Sequence, residues 1–286
     1  MADHLNTDGI SLHHSVTYQA TDNFALHCHP YFEVYYFVQG KVGYLVEGKR
    51  YEPAPHSLLL LAPGTFHGVR VESADSYERY AIHFNAGILN RERTPLLLSP
   101  FSGSGQEIYF EGADRFGIAS YFQSLLECSE LEEPLQTALI AIRTEALLSQ
   151  ILRMAKLESP TGAASTNRSI DRLLAYLGSN LGEDITLDSL SERFFLSKNH
   201  LNHLFKQSTG TTVKNYLIHK RVAAAHELIL QGYPVANAAE ICGFRDYSTF
   251  FRAYKKILGV PPASTARRAK ASKKAEGGDK NDRYPA

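Results

Sequence analysis

Two groups of side chains in this 286-residue chain have the types and the spacing to do chemistry. The first group occurs twice in the C-terminal half. Asn199, Asn202, His203 and Lys206 fall at i, i+3, i+4 and i+7, the spacing that puts side chains on one face of a helix. Ser248, Phe251, Arg252 and Lys255 repeat that spacing. Asn, His, Ser and Arg can read base edges in a major groove, whereas lysine amines suit phosphates. Phe251 is the odd member: an exposed ring there could meet a thymine methyl, or it could pack on a neighbouring helix. The second group lies near the N-terminus. His27, His29, Glu33 and Tyr35 are all odd-numbered, so an extended chain aims them at one face, and His67 on a later strand could join them. Such a set against an apolar wall can give a small organic ligand directional hydrogen bonds. Three imidazoles and a carboxylate could instead hold a divalent metal, or the two early histidines could merely stabilise a turn.

The first group needs helices to present it, and the sequence punctuates them twice. Shifted by 49 positions, Ser197-x-x-x-Leu201-x-x-Leu204-Phe205-x-x-x-x-Gly210 becomes Asp246-x-x-x-Phe250-x-x-Ala253-Tyr254-x-x-x-x-Gly259. Ser197 and Asp246 can each accept from the free amides that open a helix. An apolar stripe follows, and a Gly stands where a left-handed residue closes the helix. Two copies with one punctuation make an internal repeat, and each reads as the second helix of a helix-turn-helix. Between them, Thr211 to Gln231 is a helical pattern without Gly or Pro, with Tyr216, Leu217, Val222, Ala225, Leu228 and Ile229 inward. At about 1.5 Å per residue it makes a rod of roughly 30 Å, close to the ~34 Å repeat of duplex DNA. Such a rod could hold both helices in successive major grooves.

These residues resemble a known family. Ser197 to Lys206, then Tyr216, Arg221 and Leu228, then Cys242-Gly243-Phe244, Asp246, Phe250, Arg252, Lys255 and Gly259-Val-Pro-Pro262 are similar to the DNA-binding domain of the arabinose-regulator (AraC/XylS) family. The resemblance covers the segment 169–269 and implies a bacterial transcription regulator, usually an activator, that works on double-stranded promoter DNA with RNA polymerase. It places base contacts on Asn199, Asn202 and His203 in the first unit and on Tyr247, Ser248, Thr249 and Arg252 in the second. Lys198, Lys206, Phe251 and Lys255 are expected to meet DNA beside them. The sequence departs from the pattern at Phe195, where a small turn residue is common, and at Ser191, where a small apolar residue is usual. The segment Ala263 to Arg267 also lacks the usual Pro-x-x-aromatic-Arg.

The second group needs strands. Residues 1–23 are polar and weakly patterned, with His13 and His14 exposed or on a short edge strand. From Phe24 to Phe84, Glu33 to Val38, Lys41 to Val46, Ser57 to Leu61 and Tyr77 to Phe84 read as strands separated by Gly/Pro turns, which indicates a sandwich or barrel. His27-x-His29-x-x-x-Glu33 with Gly40, and later Pro63-Gly64-x-x-His67, resemble the two motifs of the cupin β-barrel. Val71 stands where cupin enzymes commonly place an Asn. Sensor domains of the resembled family are often cupin-like and usually lack metal, so the resemblance implies a pocket for a small-molecule effector, with no cofactor and no bound metal. Tyr44, Tyr80 and His83 could line it or be ordinary buried residues.

Residues 84–112 read as a loop. A helix is expected from Asp114 to Cys128 and another from beside Pro134 to Leu157, a leucine-rich hairpin that could pair between subunits or cover the barrel. The expected organisation is a two-domain α+β chain: a cupin-like sensor and dimerisation domain over 1–157, a linker over 158–168, an all-α double helix-turn-helix domain over 169–269 and an unfolded tail over 270–286. Within the all-α part, helices are expected over Ser169 to Asn180 and over Leu187 to Phe194, the latter capped by Thr186.

Totals agree with one domain meeting a polyanion. Met1 to Asn167 carries 11 Lys/Arg against 19 Asp/Glu, a balance of −8; Arg168 to Ala286 carries 19 against 11, or +8. Cys28, Cys128 and Cys242 are odd in number and in no metal spacing, which suggests packing roles in a reducing compartment. No apolar run is long enough to cross a membrane and the N-terminus lacks an export signal, so the protein is expected in the cytosol, as a homodimer, and not as an enzyme. The alternative is a metal-dependent cupin enzyme with an accessory helical domain, supported by the His27, His29, Glu33 and His67 set alone.

Overall fold

Alternating aromatic, β-branched and leucine residues build two antiparallel sheets in the first half of the chain. The computed structural model describes residues 4–7, 9–21, 24, 26–101, 108–162, 168–267 and 270. Its contacts divide the chain into two units, Met1–His27 with Tyr31–Thr166 and Cys28–Pro30 with Asn167–Ala286. In the first unit, β1 (His4–Thr7), β2 (Ile10–Thr17), β8 (Tyr77–Phe84), β3 (Phe32–Gln39), β6 (Ser57–Leu61) and β9 (Tyr109–Phe110) form a six-stranded sheet in that order. The second sheet runs β5 (Lys49–Tyr51), β4 (Val42–Val46), β7 (His67–Val71).

Strand parity sorts the side chains between two cores. Tyr35, Phe37, Leu59 and Leu61 meet Val42, Tyr44, Val46 and Val71 of the other sheet in one aromatic-rich cluster. Val34, Tyr36, Leu58, Leu60 and Ile82, on the opposite face of the large sheet, join a cluster with Phe122, Leu125, Leu147, Leu148 and Ile151. Those helical partners come from α2 (Ile118–Glu127) and α3 (Leu135–Leu157). The hairpin therefore covers the outer face of the sheet, with Tyr36 and Phe122 stacked at 5.9 Å. On α3, Leu147, Ile151 and Met154 are buried, but Leu135 and Ile142 remain 53% and 62% exposed.

Three expectations are corrected. Residues 1–23 are not weakly patterned: β2 lies inside the sheet between β1 and β8, because Ile10 and Leu12 supply its buried face while polar residues occupy the other. The stretch 84–112 is not all loop, since it holds α1 (Thr94–Leu97) and β9; its Ser102 to Gly105 lies outside the described residues. The helix expected from Asp114 starts at Ile118, because Gly112 and Gly117, with φ of 68° and 65°, set off a separate 3-10 turn at Ala113–Phe116. The linker is described only to 162, where the Thr161 amide donates to the Tyr109 carbonyl at 2.9 Å. Apart from Lys270, the tail lies outside the described residues.

The second unit is helical: α4 (Arg168–Ser179), α5 (Leu187–Phe194), α6 (Lys198–Thr209), α7 (Val213–Gln231), α8 (Val235–Ile241) and α9 (Tyr247–Leu258). Thr186 caps α5 through a reciprocal pair of bonds with Ser189. The long helix serves two cores. Its first turns bury Val213, Tyr216 and Leu217, with Phe205 of α6 edge-on to Tyr216 at 5.4 Å. Its later turns bury Val222, Ala225 and Ile229 in a cluster with Ala238, Ala239, Phe250 and Tyr254. Residues 262–267 add a further helical turn, whose Thr265 accepts from the Tyr254 hydroxyl at 2.9 Å.

Candidate nucleic-acid interface and effector site

Each of α6 and α9 is fixed at both ends by its own sequence. The Ser197 hydroxyl accepts from the His200 amide at 3.3 Å. Asp246 accepts from the Ser248 and Thr249 amides at 3.1 and 2.7 Å. Hydrogen bonding with Thr249, from side chain and amide, holds the Asp246 carboxyl below its usual range. Gly210 and Gly259 end the two helices at φ of 72° and 71°, where a side chain would be strained. The turn ahead of α6 is built differently. Phe195 is left-handed (φ 54°) and 93% exposed, and the Ser191 hydroxyl donates to the Leu196 carbonyl at 2.5 Å to close the turn. The two departures at Ser191 and Phe195 are thus parts of one turn.

With Leu201, Phe205, Phe250 and Tyr254 buried, the opposite faces are open. Lys198, Asn199, His203 and Lys206 on α6 are exposed, as are Tyr247, Ser248, Thr249, Arg252 and Lys255 on α9. Lys198 pairs with Asp188 of α5, and Arg252 reaches the Thr249 hydroxyl at 3.5 Å. Asn202 is half-buried, and its Oδ1 is shut off from solvent without a hydrogen-bond partner. Phe251 is half-buried beside Tyr247, ring centres 6.4 Å apart, so it packs within its own helix.

Arg221 is the residue that the sequence reading undervalued. From the middle of α7, its Nε and Nη2 donate to the Leu181 and Glu183 carbonyls at 2.9 and 2.7 Å, and its Nη1 to the Gly243 carbonyl at 2.9 Å. One side chain thereby ties the α4–α5 loop to the turn before α9. Gly243 sits at φ 82°, and a Cβ there would meet the Leu181 oxygen and the Arg221 guanidinium. An Arg at this distance in sequence from both loops gives no local signal.

In the strand-rich unit, parity carries only from Glu33 onward. Glu33 and Tyr35 lie on β3 and face inward, but His27 precedes that strand, is exposed, and pairs with His67 through an isolated bridge. Their rings are 4.4 Å apart. Because the chain turns before Phe32, it is the bridge to His67 and not strand parity that brings His27 to the set. His29 falls in Cys28–Pro30, which groups with the helical unit, and is half-buried. Glu33 Oε2 lies 3.0 Å from His67 Nε2 and 3.5 Å from Nε2 of His83. His83 thus joins the site more closely than its position in the sequence suggested, since β8 lies directly beside β3. Burial alone would lower the His67 pKa, but the hydrogen bond and charge of Glu33 outweigh it and raise it. The same carboxylate and imidazoles could ligate a divalent ion. Deeper in, the Tyr77 hydroxyl meets those of Tyr35 and, at 3.2 Å, Tyr44. Burial raises the Tyr35 and Tyr77 pKa values, so both phenols stay neutral donors.

Residues 12–152 match a family described as the AraC-like ligand binding domain, and residues 190–268 match a helix-turn-helix domain. The chain is 25% identical over 244 residues to "Probable transcriptional regulator LumQ" of Photobacterium leiognathi, covering 82% of this chain and 89% of that protein. It is 32% identical over 95 residues to "Multiple antibiotic resistance protein MarA" of Salmonella typhimurium, covering 33% of this chain and 75% of that protein. It is 28% identical over 134 residues to "HTH-type transcriptional activator RhaS" of Citrobacter koseri, covering 46% of this chain and only 48% of that protein. Among the described residues, no helix is long and apolar enough to cross a membrane.

Proposed function

Because the chain belongs to the AraC family of transcription regulators, we propose that its helical unit reads promoter DNA by sequence and that its strand-rich unit senses a small-molecule effector. The observation that carries the first half is the pairing of α6 and α9: two like-capped helices, each with an open polar face, with the uninterrupted 19-residue α7 and the short α8 between them. Asn199, Asn202 and His203 read bases in one major groove and Ser248, Thr249 and Arg252 in the next, while Lys198, Lys206 and Lys255 hold phosphates. Tyr247 stands beside the second set. The shut-off Asn202 oxygen supports a reading role, since turning it outward to a base would satisfy an acceptor that is unpaired in the free protein.

The effector is a sugar or related metabolite, held by His27, His29, Glu33, Tyr35 and His67. Its binding alters DNA occupancy or polymerase contact only if it favours one arrangement of the protein over another. Activation, as in the transcriptional activator RhaS, is the expected outcome. Leu135 and Ile142 on α3 supply an apolar face for a homodimer. Anisotropy titration of the full chain against promoter fragments tests the DNA reading. Specific binding should weaken steeply with salt, and footprints should cover two successive grooves. Protection of one groove, or indifference to sequence at low salt, would remove it.

A further inference from the structure

Among the described residues, Glu47, His56 and Phe195 are the non-glycine positions with a left-handed backbone, at φ of 46°, 59° and 54°. That conformation crowds a side chain against its own backbone and persists where the surroundings hold it. Two of the three gain a bond inside the protein. The Glu47 carboxylate accepts from the Phe66 amide at 2.7 Å, and His56 Nδ1 shares a hydrogen bond with the Tyr36 hydroxyl at 2.8 Å. Phe195 has only a ring to offer, and it is 93% exposed. The next most exposed large apolar side chain among the described residues is Leu157, at 66%. Phe194, one position earlier, is half-buried and meets the Tyr176 ring edge-on at 6.0 Å, while the Arg193 guanidinium lies 4.2 Å from the same ring centre. Tyr176 thus takes both preceding neighbours and leaves Phe195 outside.

Ser191 fixes where that residue stands. Its carbonyl accepts from the Phe195 amide and, at 3.2 Å, from the Leu196 amide, and its hydroxyl donates to the Leu196 carbonyl at 2.5 Å. Three bonds from one residue set a turn that glycine would adopt without strain. The turn leads directly into α6, which Ser197 caps. In a helix-turn-helix the N-terminal residues of the second helix contact base edges, and here those are Lys198 and Asn199. Three residues of chain span at most ~11 Å, so the Phe195 backbone lies within one major-groove width, ~12 Å, of that of Lys198. The balance of +8 over Arg168 to Ala286 favours a polyanion as the surface that approaches. The apolar parts of a duplex within reach of a side chain are thymine methyls and deoxyribose. Phe251 on α9 is half-buried beside Tyr247, so the phenylalanine open to such a contact is Phe195.

We propose that Phe195 is a DNA contact, its ring packing on a thymine methyl or a deoxyribose at the edge of the groove that α6 enters. The inference rests on reading the helical unit as the one that binds promoter DNA. The strained turn then lowers the stability of the free chain and adds affinity in the complex. The test uses the full chain and a duplex that it selects from a random-sequence pool, with anisotropy for affinity and urea unfolding for stability. Phe195→Gly and Phe195→Asn both suit a left-handed backbone. Each should bind that duplex roughly 5- to 30-fold more weakly, as expected for a partly buried ring, and unfold at no lower urea concentration than wild type. Phe195→Tyr keeps the ring and should bind as wild type does. Replacing thymine by uracil, one position at a time, separates the two partners. A loss of roughly fourfold at one position in wild type, absent in Phe195→Gly, assigns the ring to a methyl. A flat scan with Phe195→Gly still weak assigns it to deoxyribose. Unchanged affinity in Phe195→Gly and Phe195→Asn would overturn the contact, and lost polymerase-dependent transcription at that unchanged affinity would hand the ring to the polymerase. Weaker binding matched by a lower urea midpoint in both variants would trace to the fold and overturn it too. If the wild-type chain selects no sequence, the DNA reading itself falls and takes this contact with it.

Discussion

Replacing Arg221 by alanine should loosen the helical unit and uncouple its two halves. The side chain donates three bonds, to the carbonyls of Leu181, Glu183 and Gly243. Bonds from a charged donor contribute ~1.5–3 kcal/mol each. The Glu183 bond is exposed, so water can replace it at little cost, and the half-buried pair to Leu181 and Gly243 sets the scale. The loss is then roughly 3–6 kcal/mol, a large fraction of the ~5–15 kcal/mol that holds a typical domain together. Arg221→Lys keeps the charge but cannot span three carbonyls and should recover less than half. Urea unfolding followed by far-ultraviolet circular dichroism reports mainly on the helices and gives the midpoint.

The same variant should show a defect that instability alone does not produce. On a DNA fragment carrying both half-sites, the wild-type chain should bind more tightly than on a fragment carrying one, because a rigid unit makes the second contact almost intramolecular. Arg221→Ala should lose most of that advantage even at temperatures where circular dichroism shows it folded. A midpoint change worth less than ~1 kcal/mol, together with an unchanged two-site advantage, would refute the view of Arg221 as the tie between the halves.

Asn202→Ala and Arg252→Ala should each cost ~1–3 kcal/mol at particular base pairs, whereas Lys206→Ala and Lys255→Ala should weaken all sequences alike and reduce the salt slope by about one; equal losses on every sequence for Asn202→Ala would count against base reading. Phe195→Gly should raise the urea midpoint by an amount worth about 1 kcal/mol, since it removes a left-handed non-glycine residue whose ring is almost fully exposed; a loss instead would show that the ring has a partner. Burial lowers the His226 pKa from 6.5 to about 4, so between those values the unfolded chain takes up the extra proton and stability falls as pH drops. That fall should amount to roughly 3 kcal/mol, level off below about 4, and be flattened by His226→Gln, measured by urea unfolding across the pH range.

The helical half was largely legible because its signals are local. Caps at Thr186, Ser197 and Asp246, terminal glycines at 210 and 259, and 3.6-residue stripes all act within a few residues of where they stand. The strand half was less so, because a strand's partners are remote. The strands from Glu33 to Val38 and from Tyr77 to Phe84 were visible, but nothing in His4 to Thr17 announced that Leu12 would sit across from Ile82. Parity likewise assumed one continuous strand from His27 to Tyr35, and the turn before Phe32 broke it. His83 entered the Glu33 site by register alone, as Arg221 entered the helical clasp by reach alone. Both are consequences of pairing across the chain, which no window of a dozen residues contains.

The rod between the two reading helices explains why those distant ties matter. α7 holds 19 residues, about 28 Å at 1.5 Å each, against a duplex repeat of ~34 Å. With α8 and the turns also lying between α6 and α9, α7 does not by itself fix their spacing; if both helices enter successive grooves, any mismatch has to be taken up by the protein or by the DNA. Splaying the two halves would pull Val213, Tyr216 and Leu217 from one core or Val222, Ala225 and Ile229 from the other, and would break the Arg221 bonds between them. Each of those buried side chains is worth ~1.5–3 kcal/mol, whereas curving a site of 20–30 base pairs toward the protein costs ~1–6 kcal/mol in total. The softer body is the DNA. If both helices enter grooves, affinity should therefore vary with the stiffness of the base pairs between the half-sites as well as with the bases touched, which circular-permutation and affinity measurements on half-sites with flexible or stiff centres would check.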